Sequence, residues 1–336
     1  MSDSPLLSIL IPSFNQGEYI ANTIESVLKQ DYSNWELIIQ DGGSTDSTGS
    51  ICRQYENKDN RIRFHSEKDK GFADAVNKAI NKARGNIAAI QSSDDFYAHS
   101  RVFSEAVETF KKHNDLQLFS SCHCYVDQEL NELKVPAGDT KEEFGFIDPE
   151  KMFTLQVHFP QSSTFFRLER ARHVSKLNQN VDMVADTDFW IRMANYSPVL
   201  KNSIYRSKEI SSCVIVHENQ RSVDQCQFAL GRARMYFHYL SDPRFELSKE
   251  RKVKSFYANL VDALDYFFSQ KRNTAELKEL YQHGTGYKFP LKWKIKEVLN
   301  KSGIFRRWYY RRIRTKSSLN LLSCERGQNY RWFKDK

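Results

Sequence analysis

The chain has 336 residues, 40% of them hydrophobic, and a formal net charge of +8, enough for one large domain with an appendage, or two domains, and for a core that needs no staples. It holds no apolar run of the eighteen or so residues that a membrane span requires, and its start, Met1-Ser2-Asp3-Ser4-Pro5, lacks the basic residues of a secretory signal, so none is expected. The cysteines are scattered; Cys122 and Cys124 alternate as in a strand without a second pair, which argues against zinc and for free thiols in a reducing compartment.

The predicted elements alternate in type. Leu6–Pro12 reads as a buried strand, Ser13–Gly17 as a loop, and Tyr19–Lys29 as a helix with Ile20, Ile24, Val27 and Leu28 on one face. Trp35–Gln40 is the next strand, Thr45–Tyr55 a helix with Asp46 in its first turn, and Arg61–Ser66 a short strand. Phe72–Ala83 carries a helical stripe of Ala75, Val76, Ala79 and Ile80; Gly85 ends it, and strand Ile87–Gln91 follows. This order predicts a doubly wound α/β sheet in the first hundred or so residues. Farther on, Leu116–Asp127 contains a strand signal, Glu129–Pro149 is polar and loop-like, Thr164–Phe166 is a short strand, Thr187–Tyr196 a helix and Val214–His217 a last strand. From Gln225 the chain turns to helices rich in aromatic and basic residues, which places a boundary there: residues 1–225 form the α/β domain and 226–336 a mainly helical region.

The chemistry lies at two strand ends. Leu37-Ile38-Ile39-Gln40 runs into Asp41-Gly42-Gly43-Ser44-Thr45-Asp46, and the strand at Ile87 ends on Ser92-Ser93-Asp94-Asp95. Ligands of open α/β sheets bind outside the carboxyl ends of the strands. No glycine-rich dinucleotide fingerprint or P-loop follows the first strand, which disfavours a dinucleotide oxidoreductase or a P-loop NTPase. Taken singly, Asp41 is also an ordinary turn residue before glycines, and Asp94-Asp95 could cap a helix near Ser100. Taken together, adjacent carboxylates repel unless screened, and hard oxygens there suit Mg²⁺ or Mn²⁺, which would also bind a diphosphate.

In order along the chain, Ser8-Ile9-Leu10-Ile11-Pro12-Ser13-Phe14-Asn15, Asp41 to Asp46, Gly71-Phe72-Ala73-Asp74-Ala75-Val76-Asn77-Lys78, Ser93-Asp94-Asp95, Gln161-Ser162-Ser163-Thr164-Phe165-Phe166-Arg167 and Asp186-Thr187-Asp188-Phe189-Trp190-Ile191-Arg192 resemble the family 2 glycosyltransferases. The match runs from Leu6 to about Ser222. The resemblance implies the GT-A fold, a doubly wound mixed sheet flanked by helices, here with a helical C-terminal extension. It implies that Asp41 meets the nucleotide base, that Pro12, Ser13 and Asn15 lie against the nucleotide, and that Asp74, Ser93 and Asp94 belong to the nucleotide-sugar site. Many members carry Asp-x-Asp after the fourth strand; here Ser92 replaces the first aspartate, Asp94 matches the second, which is usually the metal ligand, and Asp95 is an added carboxylate. Asp186 falls where the family has its catalytic base, His217 where some relatives have a histidine reaching the metal or diphosphate, and Gln161 where it would shape the donor or acceptor pocket.

The reaction implied is inverting transfer of a sugar from a nucleoside-diphosphate sugar, a UDP-sugar in the first instance, to a hydroxyl of a glycan acceptor, as in surface polysaccharide synthesis. A carboxylate must take the acceptor's proton, and Mn²⁺ or Mg²⁺ must offset charge on the leaving diphosphate. Asp186 or Asp188 could instead cap the following helix, and a lone histidine such as His217 is commonly structural. The alternatives are a sugar-nucleotide nucleotidyltransferase, whose glycine-rich, arginine-containing loop is missing here, and a non-catalytic partner in a glycan-assembly complex.

The C-terminal stretch Tyr287–Lys316 sets Lys292, Lys294, Lys296, Arg306, Arg307, Arg311 and their basic neighbours against one acid, Glu297, and interleaves Trp293, Trp308, Tyr309 and Tyr310. Such a composition suits an anionic membrane surface; a helix packed on the first domain or an RNA site would share it. The expected setting is cytoplasmic, peripheral at the inner face of the plasma membrane, with a lipid-linked acceptor and no nucleic acid. The oligomeric state is left open.

Overall fold

The computed structural model describes residues 4–134, 143–196, 201–217, 220, 224–270, 272–285 and 325–329. The basic stretch read as a membrane-docking segment, Tyr287–Lys316, lies outside them. The described residues fall into two units, one within Met1–Gln179, Ala185–His217 and Leu321–Lys336, the other within Asn180–Val184 and Glu218–Asn320.

The first unit begins with β1 (Leu7–Ser13), α1 (Ile20–Leu28), β2 (Trp35–Asp41), α2 (Thr48–Glu56), β3 (Ile62–Ser66), α3 (Phe72–Lys82) and β4 (Ile87–Ile90). It continues with β5 (Asp95–Tyr97), α4 (Val102–Lys112), β6 (Leu118–Val126), β7 (Asn131–Lys134), β8 (Gly145–Phe146), α5 (Pro149–Phe153), β9 (Thr164–Arg167), α6 (Leu168–His173), α7 (Ala185–Asn195) and β10 (Ile204–Ile215). The sheet runs β7-β6-β9-β4-β1-β2-β3. β3, β2, β1 and β4 are parallel, β9 is antiparallel to both β4 and β6, and β10 lies parallel to β6 and antiparallel to β5.

Both faces of this sheet are covered, which is why β1 and β2 are buried along their whole length. Leu7, Ile9, Ile11, Leu37 and Ile39 share one core with Ile24 and Val27 of α1 and Phe103, Ala106 and Phe110 of α4. Alternate residues face the other way, toward α3, whose Ala75, Val76, Ala79 and Ile80 are buried. Polar residues on that face are paired. Glu36 accepts from Ser8 Oγ at 2.7 Å, Arg63 Nη2 at 2.7 Å and the backbone N–H of Arg84 at 2.6 Å, and these bonds hold its carboxyl below the usual range against the burial that would raise it. Gly85 makes the α3–β4 turn fit, since a Cβ there would stand 2.5 Å from Ser8 Oγ and 2.7 Å from the Leu6 carbonyl.

The second unit holds α8 (Gln225–Ser241), α9 (Lys249–Ser269) and α10 (Ala275–Thr285). Asp224 caps α8 by accepting from the N–H groups of Cys226 and Gln227. Gly231 lets α8 approach the carbonyl of Val181 within its own unit, where a Cβ would stand at 3.0 Å. Beyond α10, β11 (Glu325–Asn329) pairs antiparallel with β7, so this segment belongs to the first unit. Among the described residues no helix is long and apolar enough to cross a membrane.

The structure departs from the sequence pattern where strands are short or exposed. β5, β7 and β8 lie in stretches read as loop or helix cap, because two to four residues are too few to show alternation. β10 starts ten residues before the predicted Val214, since exposed Lys208 and Glu209 interrupt its apolar pattern. His217 stands two residues past its end. α2 starts at Thr48 rather than Thr45, because Asp46 accepts from Thr48 N at 3.0 Å and Thr48 Oγ1 at 2.6 Å ahead of the helix. α4 starts at Val102, with Arg101 rather than either aspartate at its cap position.

Candidate active site

From β1 the chain passes to β2 on one side, and β4 lies on the other, so the strand order switches at the carboxyl ends of β1 and β4, where open α/β sheets bind their ligands. Pro12 lines up with Gln40 of β2. Leu10 turns its carbonyl to β4, accepting from Gln91 N at 2.9 Å, and Pro12, two residues on, faces the same way where β4 has ended. Its missing N–H therefore costs no ladder bond. Ser13 is buried, and its Oγ has no hydrogen-bond partner among the described residues.

The loop after β1 is tied to the loop after β2. Asn15, at φ 53°, donates its N–H to Ser44 Oγ at 2.7 Å and accepts from Thr45 N at 3.0 Å. Gly17 N donates to Asp46 Oδ2 at 2.9 Å and Gln16 N to Thr48 Oγ1 at 2.8 Å. Asp41 closes its own turn, accepting from Gly43 N at 3.1 Å, Ser44 N at 2.9 Å, Ser44 Oγ and, from β3, Ser66 Oγ at 2.6 Å. Gly43, at φ 87°, supplies the left-handed conformation that brings its N–H to that carboxylate. The turn role of Asp41 is thus real, and it fixes the carboxylate at the strand end. Asp74 sits in the first turn of α3, accepting from Lys70 N at 3.1 Å and Gln179 Nε2 at 3.1 Å.

At the end of β4 the two aspartates diverge. Thr23 Oγ1 of α1 donates to the carbonyls of Ser93 and Asp95, at 3.0 and 2.7 Å, and pins the turn. Asp95 points inward and accepts from Ser162 Oγ at 2.5 Å. Burial and the Asp94 charge push its carboxyl up to about 8, against hydrogen bonds from Ser162, Ser92 and the Ile215 backbone. Asp94 points outward, its Oδ2 3.0 Å from Nε2 of His217. That imidazole is nearly buried and stacks on Tyr19, ring centroids 4.6 Å apart. Ser92 Oγ accepts from Gln161 Nε2 at 2.9 Å, so the serine at the first carboxylate position is held by the Gln161–Ser163 turn.

Asp186 is the second residue of α7 and Asp188 the fourth, so neither occupies the cap position. Asp188 is spent on Arg192, with Nη2 to Oδ2 at 2.7 Å, and Arg192 in turn donates to the carbonyls of Val174 and Lys176. The Thr187 hydroxyl stands 3.5 Å from Asp186 Oδ1. Burial raises the Asp186 carboxyl above the ordinary aspartate range, with the charge of His158 and the backbone N–H of Thr187 opposing. His158, Ser162 and Tyr19 are site neighbours that the sequence did not single out. The Phe159-Pro160-Gln161 run beside His158 was the available signal, since it carries the Gln161 turn.

Among the described residues no cluster of three or more His, Cys, Asp or Glu side chains is arranged to hold a metal. Asp94 and His217 supply two adjoining donors, and Asp95 is turned away toward Ser162. Two protein ligands suit a cation such as Mg²⁺ or Mn²⁺ that takes its other oxygens from a diphosphate and water, so the residues present fit that group.

These features define an α/β protein whose candidate site lies at the carboxyl edge of a mixed sheet. Residues 8–176, half of the chain, match the profile of Glycosyl transferase family 2, and the chain belongs to that family. Over 100 residues, 30% of this chain, it is 40% identical to glycosyltransferase GlyG of Streptococcus pneumoniae. That alignment spans 33% of GlyG, so the chain matches about a third of this curated relative's length. In fold it is similar to residues 1–349 of S. aureus TarS in complex with UDP-GlcNAc (TM-score 0.61, 16% identity, 94% of this chain and 93% of that one). It is likewise similar to mannosyltransferase PcManGT from Pyrobaculum calidifontis in complex with GDP-Man and Mn²⁺ (TM-score 0.55, 13% identity, 94% of this chain and 89% of that one). The mixed GT-A sheet expected from the sequence is the one observed.

Proposed function

We propose that the first unit transfers a sugar, with inversion, from a nucleoside-diphosphate sugar to a hydroxyl of a glycan acceptor, with Asp186 as base and a divalent cation at Asp94 and His217. The observation that carries this reading is the pairing of Asp94 with His217 at the end of β4, on the same sheet edge as the Ser13 and Asp41 loops. The complexes of TarS with UDP-GlcNAc and of PcManGT with GDP-Man and Mn²⁺ support the donor class and the cation.

In this reading the loops after β1 and β2 receive the nucleoside, with Asn15 and Asp41 holding their shape and the Ser13 hydroxyl free to pair with the ligand. Asp94 and His217 hold Mn²⁺ or Mg²⁺, which when bound offsets charge on the leaving diphosphate. Asp186 accepts the acceptor proton at its carboxylate as the hydroxyl attacks the anomeric carbon from the face opposite the diphosphate; a single base on that face gives inversion. Its raised affinity for protons brings it closer to the working pH of a general base. Gln161, fixed on Ser92, shapes the floor between donor and acceptor. A UDP-sugar is the first donor to assay. The membrane reading of Tyr287–Lys316 would place a lipid-linked acceptor within reach, and sedimentation with anionic against neutral vesicles tests it.

The deciding experiment is Asp186→Asn. The variant is expected to bind UDP as the wild type does and to lose transfer, because a base contributes to rate and not to ground-state contacts with the nucleotide. Transfer retained within a few-fold would remove Asp186 from the role.

A further inference from the structure

We propose that Tyr19 is the positioning residue of His217: its ring, stacked on the imidazole, holds Nε2 toward Asp94 and so presets the cation corner in the empty protein. This rests on the reading of Asp94 and His217 given above, and extends it to a residue outside the ligand set.

A histidine that binds a metal through one nitrogen is normally oriented by a hydrogen bond at the other, and losing that outer contact weakens binding. Among the described residues no group supplies this anchor to His217. Its Nδ1 is buried and has no hydrogen-bond partner among the described residues. The last backbone bond before it is Val216 N to the Val126 carbonyl at 2.9 Å, so strand pairing stops one residue short. What remains is Asp94 at the Nε2 edge, 3.0 Å away, and Tyr19 on the ring face, centroids 4.6 Å apart with 20° between planes. A carboxylate alone fixes one point of the ring, and rotation about that contact is left open. A stacked aromatic removes it.

Tyr19 is itself well placed to impose an orientation. It stands immediately before α1, and its N–H donates to the Gln16 carbonyl at 3.0 Å. The Gln16–Gly17 backbone is bound in turn to Thr48 and Asp46 of the loop after β2. Room for that approach is minimal, since a Cβ on Gly17 would stand 2.1 Å from Ser47 Oγ. The phenol oxygen meets Glu18 and, at 3.5 Å, Gln128 Nε2, and neither of these contacts is to the imidazole. The ring is therefore the working part, and it connects the nucleoside loops to the cation corner through one side chain.

The test compares wild type, Tyr19→Phe and Tyr19→Leu, with His217→Ala to assign the His217 signals. In histidine-labelled, metal-free protein, the His217 ring protons of wild type and Tyr19→Phe should share an upfield ring-current shift and show a cross-peak to the residue 19 ring. In Tyr19→Leu the shift should collapse. Calorimetric titration of Mn²⁺ into protein saturated with UDP should give equal affinity for wild type and Tyr19→Phe, and a loss of about 10- to 100-fold for Tyr19→Leu. UDP binding without metal should stay the same in all of them. A wild-type spectrum without the cross-peak overturns the proposal before any variant is made, as does an unmoved His217 signal in Tyr19→Leu. A collapsed shift with wild-type Mn²⁺ affinity overturns the positioning role. If Mn²⁺ leaves UDP binding unchanged even in the wild type, the cation reading has failed, and the metal-free spectra still decide whether Tyr19 orients the ring.

Discussion

The two strand ends of the site are built on opposite plans. At the end of β2, Asp41 accepts from two backbone N–H groups and two hydroxyls, and the loop is closed by its own hydrogen bonds. At the end of β4, Asp94 meets His217, whose buried Nδ1 has no hydrogen-bond partner among the described residues. A finished loop can hold a neutral, shape-defined group such as a nucleoside with little reorganisation. In the proposed reading, the corner of Asp94 and His217 takes a cation and an anionic ligand together. On that reading the same sheet edge pairs a prebuilt loop with a corner that the substrate completes.

The sharpest way to probe this contrast is at the third carboxylate region, α7, where the proposed base Asp186 stands two residues from Asp188, the partner of Arg192. Asp186→Asn should lower transfer by about 10²- to 10⁴-fold, the range for loss of a general base, with melting temperature and UDP affinity near wild type. The wild-type rate should fall as pH drops through a value above the ordinary aspartate range, because burial raises the Asp186 carboxyl and only its ionised form accepts a proton. Asp188→Ala should do the reverse. It leaves the Arg192 guanidinium buried without its carboxylate, and denaturant unfolding should show a loss of about 3–5 kcal/mol. Equal behaviour of the two variants would erase the distinction between base and brace.

Asp41→Asn tests the finished loop. The amide keeps an acceptor oxygen but replaces the other with a donor that faces the N–H and hydroxyl donors of Ser44 and Ser66. A stability loss of about 1–3 kcal/mol is expected, with UDP binding weakened whether or not Mn²⁺ is present. Weakening only with Mn²⁺ would mean that the two strand ends are not separate in function.

A pH-dependent contrast lies at Asp95. Its folded-state carboxyl is pushed up to about 8, whereas an unfolded aspartate titrates near pH ~3.9. Between those values the native state holds a proton that the unfolded state has lost, so this group makes stability fall as pH rises across that window. In metal-free protein, Asp95→Asn should flatten the fall. A wild-type slope retained in the variant would assign it to other groups.

Much of this was legible in the sequence. Unbroken apolar runs such as Leu37-Ile38-Ile39 mark strands covered on both faces, and the stripe of α3 marks its buried side. The ordered motifs carried the family. What stayed hidden depended on contacts distant in sequence. Asp94 and Asp95 are adjacent and chemically identical, and only Ser162 and His217, brought in by the turn before β9 and the end of β10, send one inward and the other out. The stacking of Tyr19 on a residue near position 217 has no local signature. β5 and β8 are too short to announce themselves, and β10 is masked by its exposed middle.

The claim that the β4 end is completed by substrate is tested most directly by calorimetry of UDP binding, with and without Mn²⁺, in wild type and Asp94→Ala. The account predicts that Mn²⁺ tightens UDP binding to the wild type and has little effect on Asp94→Ala, while the two proteins bind UDP alike when metal is absent. Equal affinities in all of those conditions would contradict it.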